Sequence, residues 1–479
     1  MKTVDRGEPE QQIARELEKL RTRLTGTLVE PGDPLYDEAR RVWNGMVDVR
    51  PRAVVRAGAV SDIDPVLAAA QHTELPLAVR GGGHNVAGHG TVEGGLVLDL
   101  GALRRVEVDP RTRRVTVEPG ATLADVDRAT VPHGLAVPLG VVSATGVAGL
   151  TLGGGVGWLT RSNGLSLDNL VDAEVITGTR EHLHANAEHN PDLFWGIRGG
   201  GGNFGVVSSF TFRARELPPS VLGGSLFYGR AKWRAALQAF ARWTVNLPDE
   251  MNGIVSILRL PPGFGAGDEP VLMIGFAWMS PDHAEGLRLV EQLRADAPPD
   301  EEEVGPVQWT EWQSAMDELF PKGARGYWKN ASFSRLDDEV VDALLGVASE
   351  ITWFGTGIDV HHMEGFFGRV PAGATAFPNR SARYWLNVYG FWTDAAEDAR
   401  LTAFARKAHA AVEPFADAGL YVNFLGAEHG PVTTEAARQA YGERTHRRLV
   451  ELKNRYDPGN LFRLNHNILP STADATGRG

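Results

Sequence analysis

The stretch Val79-Arg80-Gly81-Gly82-Gly83-His84-Asn85-Val86-Ala87-Gly88 decides how this chain is read. Three successive glycines follow the apolar run Pro76-Leu77-Ala78-Val79, which reads as a strand, and they end on a histidine. Glycine reaches φ > 0 and lets backbone approach another group with no Cβ between them. Turns of this kind aim N–H groups inward and form concave anion sites. Two more clusters follow, Gly153-Gly154-Gly155-Val156-Gly157 and Gly199-Gly200-Gly201-Gly202-Asn203-Phe204-Gly205. Three clusters within one apolar, β-rich stretch point to a large phosphate-bearing cofactor laid against backbone.

The last cluster contains a G-x-G-x-x-G string, which in dinucleotide-binding folds must open a helix after a strand. Here Val206-Val207-Ser208-Ser209-Phe210 follows, which is strand material, so that reading fails on context. No Gly-x-x-x-x-Gly-Lys-Ser/Thr string and no His-Glu-x-x-His string occurs. The chain has no cysteine, which excludes disulfides, thiolate nucleophiles and cysteine-held metal centres. Acidic residues outnumber basic ones, 60 to 48, against nucleic acid or an anionic membrane as partner. No apolar run is long enough to span a membrane and no signal peptide is visible, so a cytoplasmic, soluble protein is expected.

At 479 residues more than one domain is expected. Helices are predicted over 11–24, 61–71 and 121–130, and strands over 76–80, 95–100, 114–118, 172–177 (which includes Val175) and 206–213. That order is α+β rather than a regular βα repeat. After Leu217-Pro218-Pro219 the glycine clusters stop. A helix over 231–246 and strands over 271–278, 358–364 and 384–392 then mark a second domain, with Pro261-Pro262-Gly263, Gly265 and Gly267 as a loop inside it. A short strand over 420–424 leads to a final helix. The organisation expected is 1–217 (core about 46–217), a substrate domain over 218–418, a segment over 419–470 returning to the first domain, and a tail over 471–479.

Four ordered segments carry a family resemblance. They are Val79 to Gly88; Thr145-Gly146-Val147-Ala148-Gly149-Leu150-Thr151-Leu152 with the second glycine cluster and Trp158; Asp192-Leu193-Phe194-Trp195-Gly196-Ile197-Arg198 with the third; and Tyr421-Val422-Asn423 followed by Asp457-Pro458 and Asn465-His466-Asn467-Ile468. Together they resemble the vanillyl-alcohol-oxidase superfamily of FAD enzymes. Within it they are most similar to the berberine-bridge-enzyme-like branch, near its 6-hydroxy-D-nicotine-oxidase-like members. The resemblance runs from about Trp43 to Pro470. It implies a two-domain α+β fold with a PCMH-type FAD-binding domain and a substrate domain built on an antiparallel sheet flanked by helices.

The resemblance implies FAD held by Arg80, Gly81, Gly82, Gly83, His84, Asn85, Gly88, Thr145, Gly146, Gly149, Gly153, Gly154, Gly155, Gly157, Val175, Asn423, Asn465 and Asn467. It further implies a covalent bond from His84 to the flavin's 8-methyl group; His89 is read as a solvated loop residue. Relatives with a second, cysteinyl tether place it where this chain has Val142, so single attachment is expected. Two familiar catalytic bases are missing, Phe424 standing at one position and Trp385 at the other. Alternate residues of a strand share a face, which groups Trp385, Asn387 and Tyr389, and likewise Asp359, His361 and Met363. Tyr389 and His361 are ranked first as bases and Asn387 as a substrate hydrogen-bonder, with Trp43, Trp385 and Tyr421 against the substrate. Direct hydride loss without a base stays open. No metal is expected.

The activity implied is oxidation of a small alcohol, amine, sugar or secondary-metabolite ring, with dioxygen reduced to hydrogen peroxide. A flavoprotein that sequesters a drug, or a dehydrogenase using another acceptor, are the alternatives. A monomer or homodimer is expected, with a small-molecule substrate and dioxygen as its partners.

Overall fold

A computed structural model describes residues 7–260, 269–417, 419–426 and 434–471. The loop expected at Pro261 to Gly267 and the tail after Ser471 lie outside the described residues.

Three large sheets organise the chain. The first runs Thr27–Val29, Ala53–Arg56, Leu96–Asp99, Leu77–Arg80, antiparallel at its first pair and parallel at the others. Parallel pairing needs a crossover, and the helix Ile63–Thr73 provides one between Ala53–Arg56 and Leu77–Arg80. Leu77–Arg80 ends where Gly81 begins, so the first glycine loop leaves the carboxyl end of a parallel strand. In open α/β sheets that end is where ligands bind.

The second sheet is antiparallel, in the order Val106–Asp109, Arg114–Val117, Gly205–Arg213, Leu170–Thr177, His182–Asn186. Its central strand starts at Gly205, so the third glycine cluster feeds a strand and not a helix.

The third sheet has seven antiparallel strands, ordered Glu301–Val307, Val221–Tyr228, Val271–Trp278, Met251–Leu258, Thr356–His362, Tyr384–Trp392, Arg325–Phe333. One face packs under the helices Trp233–Trp243, His283–Asp296, Asp338–Ala348 and Asp398–Val412. Val255, Ile257, Ile358, Val360, Leu386 and Val388 meet Phe240, Leu289, Leu344 and Phe404 there. Each such side chain contributes about 1.5–3 kcal/mol on burial. The other face, by the period of two, carries Ser256, Asp359, Asn387 and Asn330, register partners across four adjacent strands.

The strand expected at 420–424 is a 3-10 turn, Val422–Phe424. Tyr421 finds its backbone partners on a side chain: its N–H donates to Asn330 Oδ1 at 3.2 Å, and its carbonyl accepts from Asn330 Nδ2 at 3.3 Å. With those groups taken by a single amide, no ladder forms, and Phe424 N–H closes back on Tyr421 O at 3.0 Å.

Polar contacts join the large sheet's side of the molecule to the glycine-rich side. Arg380 makes a two-pronged bond to Asp168, at 2.7 and 2.8 Å, with both side chains buried. Trp309 Nε1 donates to Asp127 Oδ1 at 2.9 Å, and Asn44 is bonded through both ends of its amide to Gly326. Among the described residues no helix is long and apolar enough to cross a membrane.

Candidate active site

The polar face of the seven-stranded sheet and the three glycine loops enclose one cavity of about 300 Å³. Gly81 to Asn85, Thr145, Gly146, Gly149, Gly153 and the run from Gly201 to Asn203 form one side. Asp359, His361, Asn387, Trp328, Phe320 and Phe424 form the other. Asn423, Asn465 and His466 close it from the C-terminal segment.

The loops reach this arrangement because glycines let backbone meet backbone. A Cβ on Gly82 would stand 2.6 Å from the backbone of Gly146, and one on Gly153 would collide with the Asn423 side chain. Gly83 turns with φ +68. Arg80 pins the start of the loop: buried, it donates to Asp99 Oδ2 at 2.8 Å and to the carbonyls of Ala39 and Arg41.

At Gly149 and Gly202 the situation is reversed. Both line the cavity, and a Cβ at either would meet nothing within 4 Å. There is room for a side chain and none is present, as expected where a ligand takes the space. Buried polar atoms without partners point the same way: His84 Nε2, Asn465 Oδ1, Asp359 Oδ1 and Asn387 Oδ1 have none, although buried polar groups ordinarily do. The long cradle of backbone, the vacated glycine positions and the orphaned atoms at both ends fit an extended dinucleotide with a polar ring system.

Burial sets the charge state of the walls. It lowers His84 to about 4 and His361 to about 4, so both imidazoles are neutral at pH 7. It raises Asp359 to about 7, against the opposing effect of the neighbouring Ser256 and Tyr389 hydroxyls. A carboxyl titrating near neutrality in a cavity is placed to exchange a proton with a bound molecule.

Comparison with known proteins agrees with this arrangement. Residues 51–186 match the FAD binding domain family, and residues 420–469 match the family described as berberine and berberine like. The chain thus joins an FAD binding domain to a berberine-like C-terminal segment, and it is an FAD-linked oxidoreductase. It is 27% identical to (R)-6-hydroxynicotine oxidase of Paenarthrobacter nicotinovorans, over 94% of this chain and 99% of that one. The structure superposes on 6-hydroxy-D-nicotine oxidase from Arthrobacter nicotinovorans with a TM-score of 0.84 at 24% identity, covering 93% of this chain and 98% of the other. It also resembles a glucooligosaccharide oxidase from Acremonium strictum described with a 6-S-cysteinyl, 8α-N1-histidyl FAD, at a TM-score of 0.83 and 22% identity, covering 96% and 99%. The architecture is therefore the α+β, PCMH-type FAD-binding fold of these oxidases.

In this oxidoreductase the residues expected at the cofactor divide into two groups. Arg80, Gly81, Gly82, Gly83, His84, Asn85, Thr145, Gly146, Gly149, Gly153, Asn423 and Asn465 line the cavity. Gly88, Gly154, Gly155, Gly157, Val175 and Asn467 do not. A Cβ on Gly88 would meet Val47, on Gly154 the Tyr421 ring, on Gly155 the Ser166 side chain and on Gly157 the Leu139 carbonyl, so these four serve packing behind the loops. Val175 sits in the core of the second sheet.

The expected substrate-side residues are redistributed as well. His361 and Asn387 line the cavity, whereas Tyr389 packs behind it against Phe320 and Phe391, with ring centroids 5.3 and 5.7 Å away. Burial and the adjacent Asp359 push its phenol well above the usual value, so Tyr389 is not equipped to take a proton. Trp385 is also displaced. It stacks on Phe377 at 5.7 Å in a separate apolar cluster with Phe367 and lines only a small side crevice. Tyr421 does line the cavity, its hydroxyl accepting from Gly155 N–H and from Asn423 Nδ2, each at 3.0 Å. Trp43 is not among the lining residues; it stacks on His84 with ring centroids 4.4 Å apart.

Several lining residues escaped the sequence reading. Asp359 was grouped with His361 but not ranked, although it is the one carboxylate in Thr356–His362, a fully buried strand. Gly201, Gly202 and Asn203 belong to the third cluster expected against a phosphate-bearing cofactor but are not among the residues named for FAD, and they line the cavity. His89, expected in solvent, faces the cavity beside His466, with ring centroids 5.2 Å apart, and burial lowers it to about 3. Trp328 and Phe320 come from segments with no local signal of function.

Proposed function

We propose that this oxidoreductase is an FAD-dependent oxidase of a small alcohol, amine or sugar-like molecule, with the flavin covalently attached through His84 alone and Asp359 as proton acceptor. The observation that carries the reading is the cavity itself, with the neutral imidazole of His84 among the glycine loops and Asp359, near its own pKa at pH 7, on the opposing sheet.

The chemistry that FAD supplies is acceptance of a hydride from a substrate carbon, with the two electrons returned to dioxygen as hydrogen peroxide. The glycine loops and Asn465 would hold its phosphates and ring edges. Asp359 takes the proton that leaves a substrate O–H or N–H as the hydride departs, and Asn387, beside it in register, orients that group. Phe320, Trp328 and Phe424 form an aromatic wall, with Trp328 edge-on to Phe320 at 6.4 Å and to Phe424 at 5.8 Å. Such a wall suits a ring or a sugar face. The nicotine-oxidase and oligosaccharide-oxidase names among similar proteins support both kinds of substrate. Val142 lines the cavity and the chain has no cysteine, which supports one link rather than two.

Mass spectrometry of the intact, denatured protein tests the attachment. The expected mass exceeds the polypeptide by one FAD less two hydrogens, and His84→Ala removes the increment. Release of all flavin from the wild type on denaturation would rule the covalent link out. Anaerobic mixing with alcohols, amines and sugars, followed by air, tests the rest through flavin bleaching and peroxide release.

A further inference from the structure

We propose that Trp43 is a positioning residue for covalent flavin attachment, its indole fixing the plane in which the His84 imidazole meets the flavin's methyl edge. The inference rests on the attachment proposed above and adds the device that aims it.

The two rings lie 4.4 Å apart and within 23° of parallel. Trp43 is itself immobilised from several directions. Its backbone N–H donates to Gly83 O at 3.0 Å, within the loop that carries His84, and its backbone carbonyl accepts from Gly323 N–H at 2.8 Å, in the segment that follows the cavity-lining Phe320. Its indole is held edge-on by Phe391 at 5.2 Å and by Trp328 at 6.1 Å. Meanwhile His84 Nε2 is buried without a hydrogen-bond partner. No hydrogen bond at that nitrogen orients the ring; its own backbone bears on the other side of the imidazole, and the stack on Trp43 holds its plane.

A nucleophilic ring must present its in-plane lone pair to the carbon it attacks, and a misplacement of about 1 Å can cost about a hundred-fold in rate. Stacking leaves the ring edge free while forbidding tilt about the Cβ–Cγ axis. The bond in question forms between an imidazole nitrogen and the methyl carbon. One methyl C–H and the imidazole N–H are given up, and these two hydrogens with two electrons pass through the flavin to dioxygen, which leaves as hydrogen peroxide. The indole takes no part in that exchange; it holds one reactant still.

Simple packing makes a different prediction. Trp43 belongs to an apolar cluster with Val86, Val142, Phe320, Trp328 and Phe391. If volume were its whole contribution, an aliphatic side chain would serve as well as an aromatic one. Full-length W43F, W43L and H84A, produced in a riboflavin-starved host and mixed with FAD in air, separate the two. The readouts are native flavin content and the fraction retained after acid denaturation, followed in time. We expect W43F to attach within about two-fold of the wild-type rate and W43L to be slower by about ten-fold or more, both with full native flavin content. Equal rates for W43F and W43L, or a wild-type rate for W43L, would overturn the proposal. Should W43L not fold, W43M gives the same aliphatic comparison. A wild type that attaches no flavin removes both this proposal and the one it rests on, whereas normal attachment in W43L removes this one alone.

Discussion

Asp359 and Asn387 are register partners on adjacent antiparallel strands; both line the cavity, and each holds a buried side-chain oxygen with no hydrogen-bond partner. Two unsatisfied acceptors side by side are costly in an empty interior. They become an asset when a substrate hydroxyl or amine donates to them, because the site then strongly prefers molecules that carry such a donor.

Replacing Asp359 with Asn keeps the shape and removes the proton acceptor. kcat/KM is expected to fall by about 10²–10⁴-fold with FAD content unchanged. Burial raises this carboxyl to about 7, and it accepts a proton only when ionised. Wild-type activity therefore rises with pH through about 7 and is lost as pH falls below it, and the Asn variant lacks that limb. His361 is lowered to about 4, so a limb near that pH, abolished by His361→Gln, would transfer the role to the imidazole. Anaerobic flavin reduction measured across pH decides between them.

Gly149 lies inside the short helix Val147–Gly153, where glycine normally costs stability. Gly149→Leu is expected to stabilise the flavin-free protein by about 0.5–1 kcal/mol through helix propensity. Its side chain enters the space beside the cavity, so flavin content drops by about ten-fold or more. Chemical denaturation of the apo form together with the absorbance of the purified protein checks both signs. A variant that binds FAD normally would show that Gly149 does not face the cofactor.

Asp127 is buried under Trp309 and raised by that burial to about 6, the indole N–H working in the opposite sense. For a carboxyl whose folded pKa lies above its unfolded value, the neutral form suits the fold. No penalty exists below about 4, and the penalty grows as pH rises to about 6 and is complete above it. At about 1.4 kcal/mol per unit, the shift amounts to about 3 kcal/mol. Asp127→Asn retains the acceptor for Trp309 and removes the charge. It should raise Tm at pH 8 and leave it unchanged at pH 4, as thermal unfolding at the two pH values would record.

Much of the fold was legible because its signals are local. The strand Tyr384–Trp392 is apolar and aromatic apart from Asn387, and the alternation that groups Asn387 with Tyr389 matches the pairing found. The turn at Val422–Phe424 was not legible, because what prevents a strand there is the amide of Asn330, far away in sequence. Tyr389 and Trp385 were misplaced for a related reason. They share a sheet face with Asn387, but Phe320 packs over the first and Phe377 over the second, so only the middle residue reaches the cavity.

By itself the sequence determined the cofactor class, the histidine within the glycine loop and the impossibility of a cysteinyl link, because glycine conformation and residue identity act where they stand in the chain. Tertiary structure alone decided which glycines face open space and which face backbone, that Asp359 rather than Tyr389 lines the cavity, and that Trp43 lies flat on His84. Those are matters of what a side chain meets from across the fold and of how far burial moves a proton's affinity, and no neighbour in sequence carries either.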